Sequence, residues 1–266
     1  MDETKLMSMK AFSEFAGINA STLRYYDRIG LFSPISRGEN DYRQYSPQQI
    51  ISINLINVLT ELGVPLKQIN EMVKNRTPEI IQNVLGAQER QLDAEMARIQ
   101  ESYSIIHVLR ELIYIGCKAH ESEICEQKFD ARPIFMGEPN DFSNCSLFYE
   151  PFVRFCARAQ EFRFSPSYPI GGYFENMEAF LDEDSQPTRF FSLDPNGKQT
   201  IRSGRYLVGY VRGYYGEMGD VGERLTAYAK ANGLKFCGPL YVLYLHDEIS
   251  VKDKNRFLAQ VSAMIK

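Results

Sequence analysis

Three stretches of this chain carry residue types able to do chemistry. The first is "TLRYYDRIGLF" at residues 22–32, followed by "DYRQY" at 41–45. Arg24 can reach a phosphate or the acceptor edge of guanine, and Tyr25 offers a hydroxyl and a flat ring to a nucleic-acid backbone. Tyr42 and Arg43 form a second contact group of the same kind. The second stretch is "CKAHESEIC" at 117–125, in which Cys117 and Cys125 flank His120. Two thiolates suit copper(I), and the imidazole adds a donor for zinc. The third is an aromatic-rich C-terminal part that includes Phe148, Tyr149, Phe152, Tyr168, Tyr173 and Phe174, then Tyr206, Tyr210, Tyr214, Tyr215, Tyr241 and Tyr244. Rings around an apolar pocket suit a flat ligand, and ring faces attract cations. In alternating strands the same rings build a core, so each residue has a structural reading beside the binding one.

These residues need elements to position them. Met9, Phe12, Phe15 and Ala16 share a helical face, and Gly17 supplies a stop. Asn19 or Ser21 can cap the next helix, where Leu23 and Tyr26 continue the apolar side. Two short helices with a glycine in the turn make a helix-turn-helix. "SPISRGENDYRQY" reads as a loop or small hairpin wing. Ser46 as N-cap and Pro47 at the first helical position start a third helix that Gly63 ends, and "VPLKQINEMVKN" gives a fourth. A long helix is predicted from about Pro78 to Cys117. Along it Leu85, Leu92, Ile99, Ile106 and Ile113 recur every seven residues, with Met96, Tyr103 and Cys117 on the companion seam. Sustained heptads predict a coiled coil and hence a homodimer. Glu89 and Arg110 interrupt the companion seam, and a helix packed within one chain is the alternative.

Beyond Lys128 short apolar runs replace helical periodicity. "LFYEPFVRFCARAQ" predicts a helix, and "YPIGGYF" and "TRFFSLD" predict strands. "RYLVGYVRGYY", a helix over "EMGDVGERLTAYAKANG" and "GPLYVLYLHDE" then repeat the order. The predicted fold class is therefore multidomain α plus α+β: a winged helix-turn-helix, a long dimerising coiled-coil helix, and an α+β domain of pseudo-duplicated strand–helix–strand–strand units. The expected divisions are 1–77 (winged helix-turn-helix), 78–118 (coiled coil), 119–127 (linker) and 128–266 (α+β domain).

Composition narrows the function classes. The formal net charge is −4, and nine Lys and Arg balance nine Asp and Glu over residues 1–80, so DNA binding must rest on motifs and not on bulk charge. Five cysteines without a disulfide-like spacing suit a reducing cytoplasm. No apolar run long enough for a membrane span or a signal peptide is present. Glu175 and Cys237 can be imagined in a hydrolytic role. With three histidines and no Ser/His/Asp or Cys/His arrangement, the chain does not read as an enzyme. No cofactor is called for.

"LRYYDRIGLF", the wing "YRQYS", the "LGVPL" turn and the long helix together resemble the MerR family of transcription regulators, over about the first 120 residues. By that resemblance the second helix enters the major groove of promoter DNA and the wing grips the flanking backbone. Ser21, Thr22, Arg24, Tyr25, Tyr42 and Arg43 are the implied contacts, with Tyr26 and Tyr45 in the same motif. Relatives often carry a basic residue near Ser21, which is absent here. The resemblance further implies a homodimer that distorts a promoter into register for RNA polymerase when an effector binds. Metal sensors of the family carry cysteines where "CKAHESEIC" stands, which keeps Cys117, His120 and Cys125 as an alternative, but such sensors end shortly after that loop. The longer tail is similar to the gyrase-inhibitor-like effector domain of multidrug-responsive (BmrR-like) members, some relatives of which hydrolyse small electrophiles. It singles out Tyr149, Tyr168, Tyr206, Tyr210 and Tyr241 for a small hydrophobic effector. Val242 stands where the multidrug type has a glutamate that pairs with cations; Glu175, Asp247 and Glu248 are the acids nearby in sequence.

Overall fold

Gly17 stops the first helix as its position demands. In the computed structural model, which describes residues 6–142, 150–162, 164–182 and 186–266, helix α1 (Met9–Ala16) is capped by the Ser8 hydroxyl, which accepts from the Ala11 amide at 3.2 Å. It ends at Gly17 with φ 64°, a left-handed conformation that costs a glycine nothing. The chain divides into two units, residues 1–99 and 100–266.

In the first unit α2 (Ala20–Arg28) follows the turn. A hairpin of β2 (Ser36–Arg37) and β3 (Arg43–Tyr45) then forms the wing, with β1 (Met7–Ser8) paired on the other side of β3. The hairpin tip places Asn40 and Asp41 at φ 60° and 63°, a region these two residue types tolerate. Helix α3 (Gln49–Glu61) starts later than Ser46 and Pro47 predict, because the Ser46 hydroxyl accepts from the Gln48 amide in a separate turn. After Gly63 comes α4 (Leu66–Lys74). Phe12, Phe32 and Tyr45 stack on one another, with Phe12 5.9 Å from Phe32 and 4.8 Å from Tyr45, and Leu23, Tyr26, Ile53, Ile56 and Ile69 complete the core. Phe15, expected on the same buried face as Phe12, is exposed.

Helix α5 (Pro78–Lys118) runs unbroken for 41 residues, starting in the first unit and ending in the second. Leu85, Leu92, Met96, Ile99, Tyr103 and Ile106 are all exposed, Ile99 at 57% and Tyr103 at 73%. Ile113, expected to continue that seam, is instead half-buried and lines a cavity of the second unit. Val108 and Leu112 are buried in that unit's core, so the seven-residue repeat changes partner beyond Ile106.

The second unit is one eight-stranded antiparallel sheet with helices. Its elements are β4 (Ile124–Phe129), β5 (Arg132–Pro139), α6 (Glu150–Ala157), α7 (Ala159–Phe162), β6 (Ile170–Phe174), α8 (Met177–Leu181) and β7 (Arg189–Ser192). They continue with β8 (Gln199–Ile201), β9 (Gly204–Arg212), α9 (Val221–Ala231), β10 (Phe236–His246) and β11 (Leu258–Ile265). The strand order is β4-β9-β11-β10-β6-β7-β5-β8. The duplication is written in that order: β5, helices, β6, β7 is matched by β9, α9, β10, β11. In each set the last strand lies between the first two, and β6 meets β10 at the centre. The leading strands are exchanged, since β4 pairs with β9 of the second set and β8 with β5 of the first. The stretch 119–127, expected to be a linker, thus supplies Ile124 and Cys125 to the edge strand β4, hydrogen-bonded beside Gly209 and Val208.

Alternation divides the sheet. Leu207, Val211, Leu240, Val242, Val261 and Ala263 pack with Met177 and Phe180 of α8 and Leu225 of α9. Tyr206, Val208, Tyr210, Tyr241 and Leu258 belong to the opposite cluster with Val108 and Leu112.

Candidate functional site

The DNA-facing candidates lie in the first unit. Burial of Leu23 and Tyr26 against the core sets the roll of α2, leaving Ser21, Arg24, Tyr25 and Arg28 exposed. Their spacing of three, four and seven residues is that of a single helical face. Thr22 is half-buried beside it. Arg28 was missed in the sequence, although its offset of four from Arg24 was the available signal. Tyr42, 72% exposed, projects from the wing, and Arg43 is half-buried. Tyr26 and Tyr45 are corrected: both are core side chains, Tyr45 at 0% exposure, so neither ring is presented to a ligand. Burial first, and the Asp27 carboxylate second, push the Tyr45 hydroxyl above its ordinary pKa.

Asp27 ties the two groups together. Its side chain is 7% exposed and its Oδ2 accepts from Arg37 Nη2 at 2.9 Å and Arg43 Nε at 2.7 Å. Arg37 also donates to both carboxylate oxygens of Asp41, at 3.0 and 2.9 Å.

The second unit holds a cavity of about 450 Å³. Leu109, Leu112 and Ile113 of α5 form one wall, and Ile170, Gly171 and Gly172 of β6 another. Val242 and Tyr244 of β10, Tyr214, Tyr215 and the acids Asp247 and Glu248 close the rest. Of the positions the resemblance marks, Tyr168 and Val242 line it, as do Phe152, Phe174, Tyr214, Tyr215 and Tyr244 of the wider aromatic set. Tyr206, Tyr210 and Tyr241 do not; they are buried in the cluster that also holds Val108 and Val208. Tyr206 stacks on Phe129 at 4.8 Å and donates to the Arg202 carbonyl, while Tyr241 meets the edge of Phe191 at 5.6 Å. Tyr149 lies outside the described residues. The rings that line the cavity form a cage with Phe257 behind it: Tyr215 sits edge-on to Tyr244 at 4.6 Å and beside Tyr214 at 5.2 Å.

That cage is held by polar contacts. Tyr244 Oη donates to the Tyr214 carbonyl and accepts from the Gly216 amide, both at 3.0 Å, which fixes the loop after β9. The Tyr215 hydroxyl donates to the Glu248 carboxylate. Burial, then that bond, keep the Tyr215 hydroxyl protonated far above its ordinary range. Burial also raises the Asp247 carboxyl above the usual aspartate value, opposed by the Ile249 amide that donates to it at 3.0 Å. The position of the multidrug-type glutamate is apolar here, but two carboxylates reach the cavity from the segment after β10. Glu175 and Cys237, considered for hydrolysis, are exposed and do not line it.

Cys117, His120 and Cys125 do not converge. Cys117 Sγ lies 3.9 Å from His246 Nε2, and Cys125 sits in β4 accepting from Gln127. Cys117, placed on the coiled-coil seam in the sequence, is exposed beside the end of β10, where Gly116 leaves room for the His246 ring. Among the described residues no group of three His, Cys, Asp or Glu is placed to hold a metal ion, and no helix is long and apolar enough to cross a membrane.

Residues 7–76 match the family described as MerR HTH family regulatory protein. The multidrug-efflux transporter 2 regulator of Bacillus subtilis is 27% identical over 271 aligned residues, covering 100% of this chain and 98% of that protein. The multidrug-efflux transporter 1 regulator of the same organism is 28% identical over 103 residues, 37% of each chain. A solved structure described as an EcmrR–DNA complex in EcmrR-RPo is 16% identical, covers 98% of this chain and 99% of its own, and has a TM-score of 0.40. The chain carries a MerR-family helix-turn-helix regulatory domain.

Proposed function

We propose that this transcription regulator binds promoter DNA as a homodimer and responds to a hydrophobic aromatic cation held in the C-terminal cavity. The observation that carries the ligand reading is the cavity itself, a cage of three tyrosines with two carboxylates at one side. Ring faces and carboxylates favour the same kind of guest, a flat molecule carrying positive charge. The full-length likeness to a multidrug-efflux transporter regulator supports the same class.

The homodimer rests on the exposed seam of α5 from Leu85 to Ile106, which a second copy of the helix would cover. An open groove in the first unit, lined by Leu62, Ile81, Leu85 and Leu92, adjoins the seam and adds apolar surface to it. On DNA, Ser21, Thr22, Arg24, Tyr25 and Arg28 face the major groove, and Tyr42 and Arg43 of the wing hold the flanking backbone. An effector that prefers one of two protein–DNA states shifts the balance toward a distorted promoter that RNA polymerase can use. Such a distortion costs about 1–6 kcal/mol, so a modest difference in ligand affinity suffices.

A thermal-shift comparison tests the ligand reading. Lipophilic aromatic cations are expected to stabilise the full chain by about 2.7 kcal/mol at a hundred times their dissociation constant. Matched neutral aromatics should act more weakly, and zinc(II) or copper(I) should have no effect. Stabilisation by the metals alone would overturn it. The DNA reading has its own test, with a duplex selected from a random library by the wild-type chain. Arg24→Ala is expected to weaken binding by about 1–3 kcal/mol where the side chain reads a base edge, or to make the salt dependence shallower by about one unit where it holds a phosphate. Unchanged affinity would refute the docking.

A further inference from the structure

We infer that Asp27 is the positioning residue that sets the wing at a fixed angle to the recognition helix, and that correct contact with the flanking DNA backbone depends on it. The inference rests on the DNA reading above and adds a residue that itself touches no DNA. Asp27 sits in the last turn of α2, on the helix that presents Arg24, Tyr25 and Arg28. Its carboxylate is nearly sealed and accepts from both strands of the wing, through Arg37 of β2 and Arg43 of β3. These two arginines are register partners, directly opposite each other across the hairpin. Like charges in that relation repel, and a carboxylate between them turns the repulsion into a three-way clamp. Tyr45, at the end of β3, seals the neighbouring space with a buried ring whose hydroxyl has no hydrogen-bond partner among the described residues.

The clamp also accounts for the charge balance. Within the wing Glu39 and Asp41 balance Arg37 and Arg43, and Asp27 brings the clamped group to a net charge of −1, so the wing has no positive charge to attract DNA from a distance. Its contribution must come from placement: Tyr42 at the tip and the remaining N–H groups of Arg43 have to arrive together with the α2 face. An ordinary acidic residue near DNA would have the opposite effect, repelling phosphates, and its removal would tighten binding. The two roles therefore differ in the sign of one measurement.

The test uses the full chain and a duplex selected by the wild-type protein. Asp27→Asn is expected to weaken binding about tenfold and to abolish hydroxyl-radical protection of the flanking backbone while central protection is retained. Asp27→Glu, which keeps the charge, should recover part of both. Unchanged or tighter binding by Asp27→Asn would overturn the inference. Should Asp27→Asn melt early in circular dichroism, Arg37→Lys decides. It keeps the positive charge but loses the guanidinium fork that spans Asp27 and Asp41, and it alters no proposed DNA contact, so loss of flanking protection supports the clamp and its retention overturns it. Arg24→Ala run alongside separates the layers. If it leaves affinity unchanged, the helix docking fails; if it weakens binding while Asp27→Asn does not, only the clamp fails.

Discussion

The paired substitution Asp247→Asn and Glu248→Gln is expected to weaken binding of a lipophilic aromatic cation about 10- to 30-fold, and that of a matched neutral compound by no more than about twofold. Two unit charges about 4 Å apart attract by about 1 kcal/mol in water and about 4 kcal/mol at an effective dielectric of 20. The cavity is open to solvent on the side of Glu248 and more enclosed at Asp247. An intermediate value of about 1.4–2 kcal/mol corresponds to that loss. The neutral compound keeps the Tyr214, Tyr215 and Tyr244 surfaces and has no charge to lose. Titration calorimetry of both ligands against both proteins checks the expectation, and equal losses for the two would locate the acids' role in shaping the cavity. The pH dependence has a definite sign. Because burial raises the Asp247 carboxyl, it takes up its proton at a higher pH than an ordinary aspartate, and a bound cation favours the ionised form. Cation affinity should therefore rise with pH through the elevated Asp247 pKa and level off above it. The paired variant should be flat over the same window.

Gly197→Ala is expected to produce the largest loss of stability in the second unit. Gly197 closes the turn that leads from β7 into β8, with its amide donating to the Asp194 carbonyl at 3.0 Å. A Cβ there would lie 2.0 Å from the backbone carbon and oxygen of Ile134 and 2.3 Å from the Phe135 amide nitrogen. Those atoms belong to β5 and are held on both sides by β7 and β8, so no flexible side chain can give way. Overpacking against backbone puts the cost at about 3 kcal/mol or more. Scanning calorimetry should show a lower melting temperature for the second unit, by about 2–4 °C per kcal/mol. An unchanged transition would mean that β8 can detach from β5 at little cost.

The N-terminal unit was legible because its signals are local. Gly17 and Gly63 end helices, the Gly-Glu-Asn-Asp run makes the hairpin tip, and seven-residue steps give α5 almost to the residue. What local signals could not give was the inward turn of Tyr26 and Tyr45. Both stand in a motif of exposed contacts, and only the three-dimensional core decides which tyrosines it takes. Ile113 failed for a related reason: the heptad continues in sequence, but the helix meets a different neighbour there. In the second unit the strands that carry Tyr206 and Tyr241 were readable as short apolar runs. Their facing was not, since it depends on which side of the sheet each residue takes. Tyr241 and Val242 are adjacent and lie on opposite sides. The short strands β4 and β8 carry little apolar pattern and are defined by partners far away in the chain. The acids of the cavity were visible as residues, but only the fold brings Glu248 to Tyr215.

The exchange of β4 and β8 between the two matched sets has a consequence for synthesis of the chain. A ribosome delivers β4 and β5 well before β9, the strand that covers β4, has been made. The first set must therefore wait with an open strand edge, and its helices cannot compensate for the missing hydrogen bonds. Most pairings of this sheet are distant in sequence, which slows folding and lengthens that exposed interval. Expressed alone, residues 100–201 should be aggregation-prone although they contain a complete strand–helix–strand–strand set. The duplicated halves behave as one indivisible folding unit, and a viable boundary for dissecting the protein lies along α5, not between the repeats.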